Sequence, residues 1–504
     1  MTPPCGARPP RGSRKVAEPH FLERLRLARL KALFAALALG LSALAAAREL
    51  PPEVEAALER AKVPASALVA VVQEVDAPRP RLAWQPQQPV NPASLMKLFT
   101  TFAALEMLGP GWRWTTPVWL DGNLRGNPRD GVLDGNLVIK GSGDPTLVME
   151  RQWLLLRRVQ QLGVRDIRGD IVLDRTSFTL PEHDPAGFDA EPLRPHNVGP
   201  DALLLNFKSI TLAFTPDPGR GIALVASDPP LAGWWVDASV PLTSGPCDDW
   251  RAALKADFTD PARLRLAGAY PVLCGEKQWP LAHPDPRGYS ARALEALWRE
   301  IGGSLTGSVR DGVAPASKPS FEVSSPALAE VVRDINKFSN NVMAQQLFLS
   351  LALAQRGSAT PQAAREVLRE WIELRLGPAA AAAVVIDNGS GLSRESRASA
   401  QTLARLLSVA WASPVMPELM ASLPVGGVDG TLRRARMQLG RAHLKTGSLR
   451  DVAGIAGYVL STSGRRYVVV AVINHPNANA ARPALEALTQ WAASDLASPA
   501  RSAP

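Results

Sequence analysis

Ser94 stands three residues before Lys97 in the stretch NPASLMKLFT. Residues three apart on a helix lie on one face, so the hydroxyl and the ammonium are expected to project side by side. A serine hydroxyl is a weak nucleophile unless a neighbour accepts its proton, and lysine accepts one only when burial or a helix dipole lowers its pKa. The pair reads as a nucleophile with a candidate base. Alone, the spacing is weak: in 504 residues it recurs by accident, and its ordinary meaning is a helix cap beside a solvated lysine.

Two further clusters raise its weight. Ser339-Asn340-Asn341 occupies a polar break between two helical patterns, and Lys445-Thr446-Gly447 opens a strand-like region near the C-terminus. Serine and asparagine supply both donors and acceptors, which a proton relay and the holding of an amide require. Three such elements in this order form a strong signal.

The elements that must position them follow from periodicity. Pro92 precedes the serine, and Leu95, Leu98, Phe102, Leu105 and Leu108 recur at helical steps, so a buried helix is expected to begin at Ser94. Residues 326–336 and 342–353 form the helical patterns around the second cluster. Residues 53–62 read as a short helix and 67–74 as a strand, while 458–462 and 467–474 around Gly464 read as a hairpin before a terminal helix over 482–497. The N- and C-terminal pieces are therefore expected to share one sheet.

Between about residues 115 and 282, short strands alternate with turns, and only 153–162 is convincingly helical. The 245 residues separating Ser94 from Ser339 exceed what a compact helical subdomain needs, so this stretch reads as one or two inserted, mainly β domains. The expected division is a leader at 1–47, a discontinuous catalytic domain at 48–114 and 289–504, and the insertion at 115–288.

With 46% hydrophobic and 20% charged residues, the chain can bury a large core. Its net charge of +9 would suggest nucleic acid as a partner, but residues 1–47 hold eight Lys/Arg against two acids, leaving only +3 for the rest. The basic residues up to Lys31 precede the apolar run ALFAALALGLSALAAA, the order of a secretory signal peptide cleaved after Ala47. Export to the periplasm is expected, nucleic acid is not a partner, and membrane contact is at most peripheral. Cys5 falls within the leader, so Cys247 and Cys274 are most simply one disulfide of the exported chain.

With these residues assembled, the chain resembles the low-molecular-mass class C penicillin-binding proteins, D-alanyl-D-alanine carboxypeptidases/endopeptidases of the penicillin-binding protein 4 type. The likeness rests on NPASLMK, LVIKGSGDPTL (137–147), DALLLNFKSI (201–210), DNGSGLSR (387–394), LPVGGVDGTL (423–432) and HLKTGSL (443–449). It implies an α/β (α+β) fold: a penicillin-binding or serine β-lactamase-like transpeptidase domain, its antiparallel sheet flanked by helices, interrupted by a large mainly-β insertion. It also implies attack of Ser94 on a D-alanyl peptide bond, with Lys97 as base and Ser339 relaying a proton to the leaving amine. Asn341 would hold the substrate amide, and Lys445 and Thr446 would bind the terminal carboxylate. Gly447 would allow close approach, and the backbone N–H groups of Ser94 and Ser448 would form an oxyanion hole. Peptidoglycan stem peptides are the implied substrates and β-lactam antibiotics the implied covalent inhibitors.

Gly141, Gly143, Asp387 and Gly391 read mainly as turn formers. Asp144 and Asp189 are candidates to meet the amino group of a diaminopimelate side chain, with a turn or salt-bridge role the plainer reading. His443 shares a strand face with Lys445 and reads first as structural. The chain has no His-Glu-x-x-His and no phosphate-binding glycine loop with lysine, so no metal or other cofactor is expected. A serine β-lactamase and a non-catalytic β-lactam sensor or peptidoglycan-binding protein are the alternatives that remain open.

Overall fold

The computed structural model describes residues 49–494 apart from 128–129, 261 and 438. The leader, its cleavage after Ala47 and Cys5 lie outside the described residues. No helix among these residues is long and apolar enough to cross a membrane.

The part that carries all three clusters is built on one five-stranded antiparallel sheet. Its elements, in chain order, are helix α1 (Pro52–Arg60), strands β1 (Leu68–Glu74) and β2 (Leu82–Trp84), and helices α2 (Lys97–Leu108), α3 (Leu328–Phe338) and α4 (Asn341–Arg356). Strands β3 (Ala442–Leu449), β4 (Val452–Leu460) and β5 (Arg466–Asn474) and helix α5 (Arg482–Ser494) complete it. The strand order is β3-β4-β5-β1-β2, so the first strand of the chain pairs with the last, Val69 opposite Val472.

The near-continuous apolar runs LVAVV and YVVVAVI explain why both faces of this sheet are covered. Side chains alternate across a strand, so Val69, Val71, Val468, Val470 and Val472 face the core shared with α2, α3 and α4, directly beneath the helix Ala400–Trp411. Leu68, Ala70, Val72, Val469, Ala471 and Ile473 face the opposite core under α1 and α5. Helix α2 is buried from Lys97 to Leu105, with Leu98, Phe99, Phe102 and Leu105 entirely buried and the Thr100 and Thr101 hydroxyls bonded to the Gly389 and Lys97 carbonyls.

The insertion holds two further cores. Strands from Thr115 to Asp174 and from Ser304 to Ser324 make a seven-stranded mixed sheet backed by the helix Met149–Gln161, around Leu155, Leu156, Val159 and Trp298. The second core gathers Phe214, Trp250 and Tyr270 between a five-stranded and a three-stranded sheet, with the Cys247–Cys274 disulfide beside it.

The boundary expected at residue 289 needs correction. The helix Tyr289–Glu300 buries Leu294, Leu297 and Trp298 in the first insertion core and Tyr289 in the second. The strand Phe321–Ser324 then closes the insertion sheet against Val118–Thr115. We place the return to the catalytic part at Ser325. An amphipathic helix announces its apolar face but not which sheet that face will cover, so the pattern at 289 resembles the helices that follow.

Candidate active site

Ser94 lies on a 3₁₀ turn, Ala93–Met96, that leads into α2; the expected α-helix starts one turn later, at Lys97. Ala93, just before the serine, is held at φ +47°, a left-handed conformation that costs a residue with a Cβ of order 1 kcal/mol. The surroundings fix it. Asn91 Oδ1 accepts from the Ala93 N–H at 2.9 Å, and Asn91 exchanges two backbone hydrogen bonds with the Asn474 carboxamide at 2.8 and 3.1 Å. Two glycines close on the turn: a Cβ on Gly391 would stand 1.9 Å from the Ala93 carbonyl oxygen, and one on Gly447 would stand 2.7 Å from that of Pro92.

Lys97 is completely buried, and its Nζ is 3.0 Å from Ser94 Oγ, 2.6 Å from Asn341 Oδ1 and 2.7 Å from the Ser390 carbonyl oxygen. Burial, and secondarily the charge of Lys445, hold its pKa well below the ordinary lysine value. The geometry suits a neutral amine. Its two hydrogens go to Asn341 and Ser390, and its lone pair is left facing the Ser94 hydroxyl.

Ser339 caps the C-terminus of α3 in the left-handed region at φ +56°, and Asn340 caps the N-terminus of α4 by accepting from the Met343 N–H at 3.1 Å. This tight helix-to-helix joint delivers Ser339 and Asn341 to the cleft. The Asn341 carbonyl oxygen accepts from Lys97, and its NH₂ stands 3.4 Å from the His196 carbonyl oxygen. Lys445 is also fully buried, donating to Ser339 Oγ at 2.9 Å and to the Thr446 carbonyl at 2.8 Å. Thr446 Oγ1 meets Thr431 Oγ1 at 2.8 Å, and Ser448 Oγ accepts from Arg482 Nη2 at 2.8 Å.

Ser94 sits where two cavities meet. One, of about 530 Å³, is lined by Ser339, Thr446, Gly447, Ser448, Arg434 and Arg482. The other, of about 570 Å³, is lined by Phe188, Asp189, His196, Asn341, Leu392 and Arg394. The candidate residues Ser94, Lys97, Ser339, Asn341, Lys445, Thr446, Gly447 and Ser448 are thus brought to one place from segments far apart in the chain.

Of the remaining candidates, only Asp189 borders the cleft. Burial would raise its pKa, but hydrogen bonds from His196, Asn197 and the Glu191 N–H outweigh burial and hold it below the usual value. Asp144 is buried away from both cavities and closes a turn by accepting from the Thr146 N–H and hydroxyl at 2.8 and 2.6 Å. It lines neither cavity, and burial raises its pKa above the usual carboxylate value despite the hydrogen bonds from Thr146. His443 bridges to Val425 and lines neither cavity. The residues whose roles spacing did not reveal are Ser390 and Arg482; the first lies within DNGSGLSR but contributes only a backbone oxygen, and the second is an arginine at a helix start.

Burial brings the Lys445 pKa down to about 7, against 10.5 for an ordinary lysine. Between these values the unfolded chain binds the extra proton, so folding stability rises with pH across this window and burial costs most at and below neutrality. The Lys445→Met variant is expected to be more stable than the wild type at neutral pH, by on the order of 3 kcal/mol after about 1 kcal/mol for the hydrogen bond lost by Ser339. That gap should close as the pH approaches the unfolded value, which denaturant melts at several pH values would show.

Comparison with known proteins agrees with this architecture. Residues 51–495 match the model of the D-Ala-D-Ala carboxypeptidase 3 (S13) family. The chain is 28% identical to a D-alanyl-D-alanine carboxypeptidase of Actinomadura sp. (strain R39), over 78% of this chain and 75% of that protein. It is 25% identical to the D-alanyl-D-alanine carboxypeptidase DacB of Haemophilus influenzae, over 76% of this chain and 80% of that one. The crystal structure of penicillin binding protein 4 from H. influenzae superposes with a TM-score of 0.68 at 22% identity, covering 86% of this chain and 99% of that one. The chain belongs to the D-Ala-D-Ala carboxypeptidase 3 (S13) family.

Proposed function

We propose that this protein is a serine-type D-alanyl-D-alanine carboxypeptidase and endopeptidase of peptidoglycan stem peptides and cross-links, exported to the periplasm and acylated by β-lactams. The observation that carries this reading is the contact of a buried Lys97 with Ser94, 3.0 Å apart, at the mouth of a cleft that also holds Ser339. Ser94 Oγ attacks the carbonyl of the D-alanyl bond while its proton passes to Lys97, giving an ester on the serine. Lys445 and Ser339, 2.9 Å apart, pass a proton to the departing amine. Lys97 hands its proton on to this relay and is neutral again; it then takes a proton from the water that attacks the ester and returns it to Ser94 Oγ as the shortened peptide leaves. The N–H groups of Ser94 and Ser448 stabilise the oxyanion in both steps, a contribution of about 3 to 4 kcal/mol per donor. The edge strand β3 pairs with the peptide as an added strand, which Gly447 permits.

The test is intact-mass spectrometry of the exported protein with benzylpenicillin, alongside assays on a D-alanyl-D-alanine stem peptide and a cross-linked dimer. A persistent adduct with released D-alanine and divided dimer is the expected result. An adduct without peptide cleavage would make the protein a sensor, and rapid penicillin turnover would make it a β-lactamase.

A further inference from the structure

The terminal carboxylate of the substrate needs a cation, and the sequence pattern assigns that task to Lys445. The structure gives Lys445 other work. It has no exposed surface, both acceptors of its Nζ lie within the protein, and it does not line the cavity that Ser94 faces. With burial bringing its pKa to about 7, it is also only partly charged at neutrality.

A different cation stands in the open part of that cavity. Thr446 and Ser448 alternate along β3 and both line the cavity with Ser94, and the Ser448 hydroxyl accepts from Arg482 Nη2 at 2.8 Å. A hydroxyl that accepts from a guanidinium still has its own hydrogen to donate. Arg482 is exposed yet oriented: its Nε and Nη2 donate to Asn479 Oδ1 at 3.3 and 2.9 Å. Asn479 in turn donates to the Leu449 and Arg450 carbonyls at 2.9 and 3.0 Å, tying the guanidinium to the end of β3. Among the described residues no carboxylate is paired with Arg482, and its Nη1 donates to none of them. Arg434, the other guanidinium lining this cavity, has no such tether.

We propose that Arg482 is the cation that binds the terminal carboxylate of the substrate, alongside the hydroxyls of Thr446 and Ser448, and so sets the preference for a free C-terminus. This rests on the peptidase reading above. It divides the labour on β3: Lys445 serves the proton path through Ser339, and Arg482 serves recognition. A guanidinium offers a carboxylate two parallel N–H groups and keeps its charge at physiological pH, which a buried lysine does not.

The experiment measures KM and kcat for a stem peptide ending in D-alanyl-D-alanine and for its C-terminal amide, and the acylation rates by benzylpenicillin and by its methyl ester. In Arg482→Gln, KM for the carboxylate peptide is expected to rise about 10- to 100-fold, with kcat little changed. Acylation by benzylpenicillin should slow to a similar degree, while the amide and the methyl ester react as with wild type. Arg482→Lys should recover part of the loss, since it restores charge without the fork; should the glutamine variant fail to fold, the same split read on the lysine variant decides. Equal losses on charged and neutral partners, or no loss on either, would overturn the proposal while leaving the peptidase reading intact. A wild-type protein that neither cleaves the peptide nor reacts with benzylpenicillin would overturn both.

Discussion

Acylation of the Lys97→Met variant by benzylpenicillin is expected to fall by about 10^4-fold, the upper range for the loss of a positioned general base. Methionine keeps the unbranched stem and fills the same space, so the packing of α2 survives. What goes is the lone pair 3.0 Å from Ser94 Oγ and the donors to Asn341 and Ser390. Ser94→Ala, by contrast, removes the bond-forming atom and should give no adduct at all.

The pH dependence separates a base from a structural lysine. Only the neutral amine accepts the serine proton, so the wild-type acylation rate should climb with pH through the Lys97 pKa, which lies well below the ordinary lysine value. Residual acylation of Lys97→Met should lack that limb. In Lys445→Met the second cation no longer helps to depress Lys97, and the limb should move to higher pH. Rates measured over the pH range in which the protein stays folded, with an unchanged limb in Lys97→Met, would refute the assignment of Lys97 as the base.

Gly391→Ala should also slow acylation, without touching a polar side chain. Gly391 is at φ +79°, where a Cβ costs about 1 to 2 kcal/mol, and that Cβ would sit 1.9 Å from the Ala93 oxygen and 3.0 Å from the Ser94 nitrogen. These are backbone atoms, so no side chain can swing aside to relieve the contact. The turn carrying the nucleophile must move by about 1 Å, a displacement that costs on the order of a hundredfold in rate. Acylation should drop by about that factor at temperatures where melting curves show the variant folded. Wild-type acylation in a folded Gly391→Ala protein would show that the turn has room to spare.

Much of the site was legible because its information is local. Ser94 and Lys97 are three residues apart, and the valine-rich runs near both chain ends read as strands, so the shared sheet followed. What escaped depends on packing between distant segments. Nothing in Lys-Thr-Gly says that the lysine lies beneath the strand rather than on it, and nothing near Arg482 says that its guanidinium reaches Ser448, 34 residues earlier. Asp144 and Asp189 are the same residue type near turns; a threonine two residues on takes the first inward, while a histidine and an asparagine hold the second at the cleft. The boundary at residue 289 escaped for a related reason, since three short strands after that helix belong to the insertion sheet.

Strand β1 has only β2 and β5 for neighbours, and β5 begins at Arg466. The segment before the nucleophile must therefore wait for almost the whole chain to be made before its longer pairing can form, and long-range pairing of this kind is slow. A chain ending at residue 460 would carry Ser94, Lys97, Ser339 and Lys445 yet leave β1 unpaired on one side and β4 open to the neighbouring molecule. A fragment that ends before β5 is therefore expected to show no labelling by a β-lactam, so that under the proposed function labelling would count finished molecules rather than copies of the motifs.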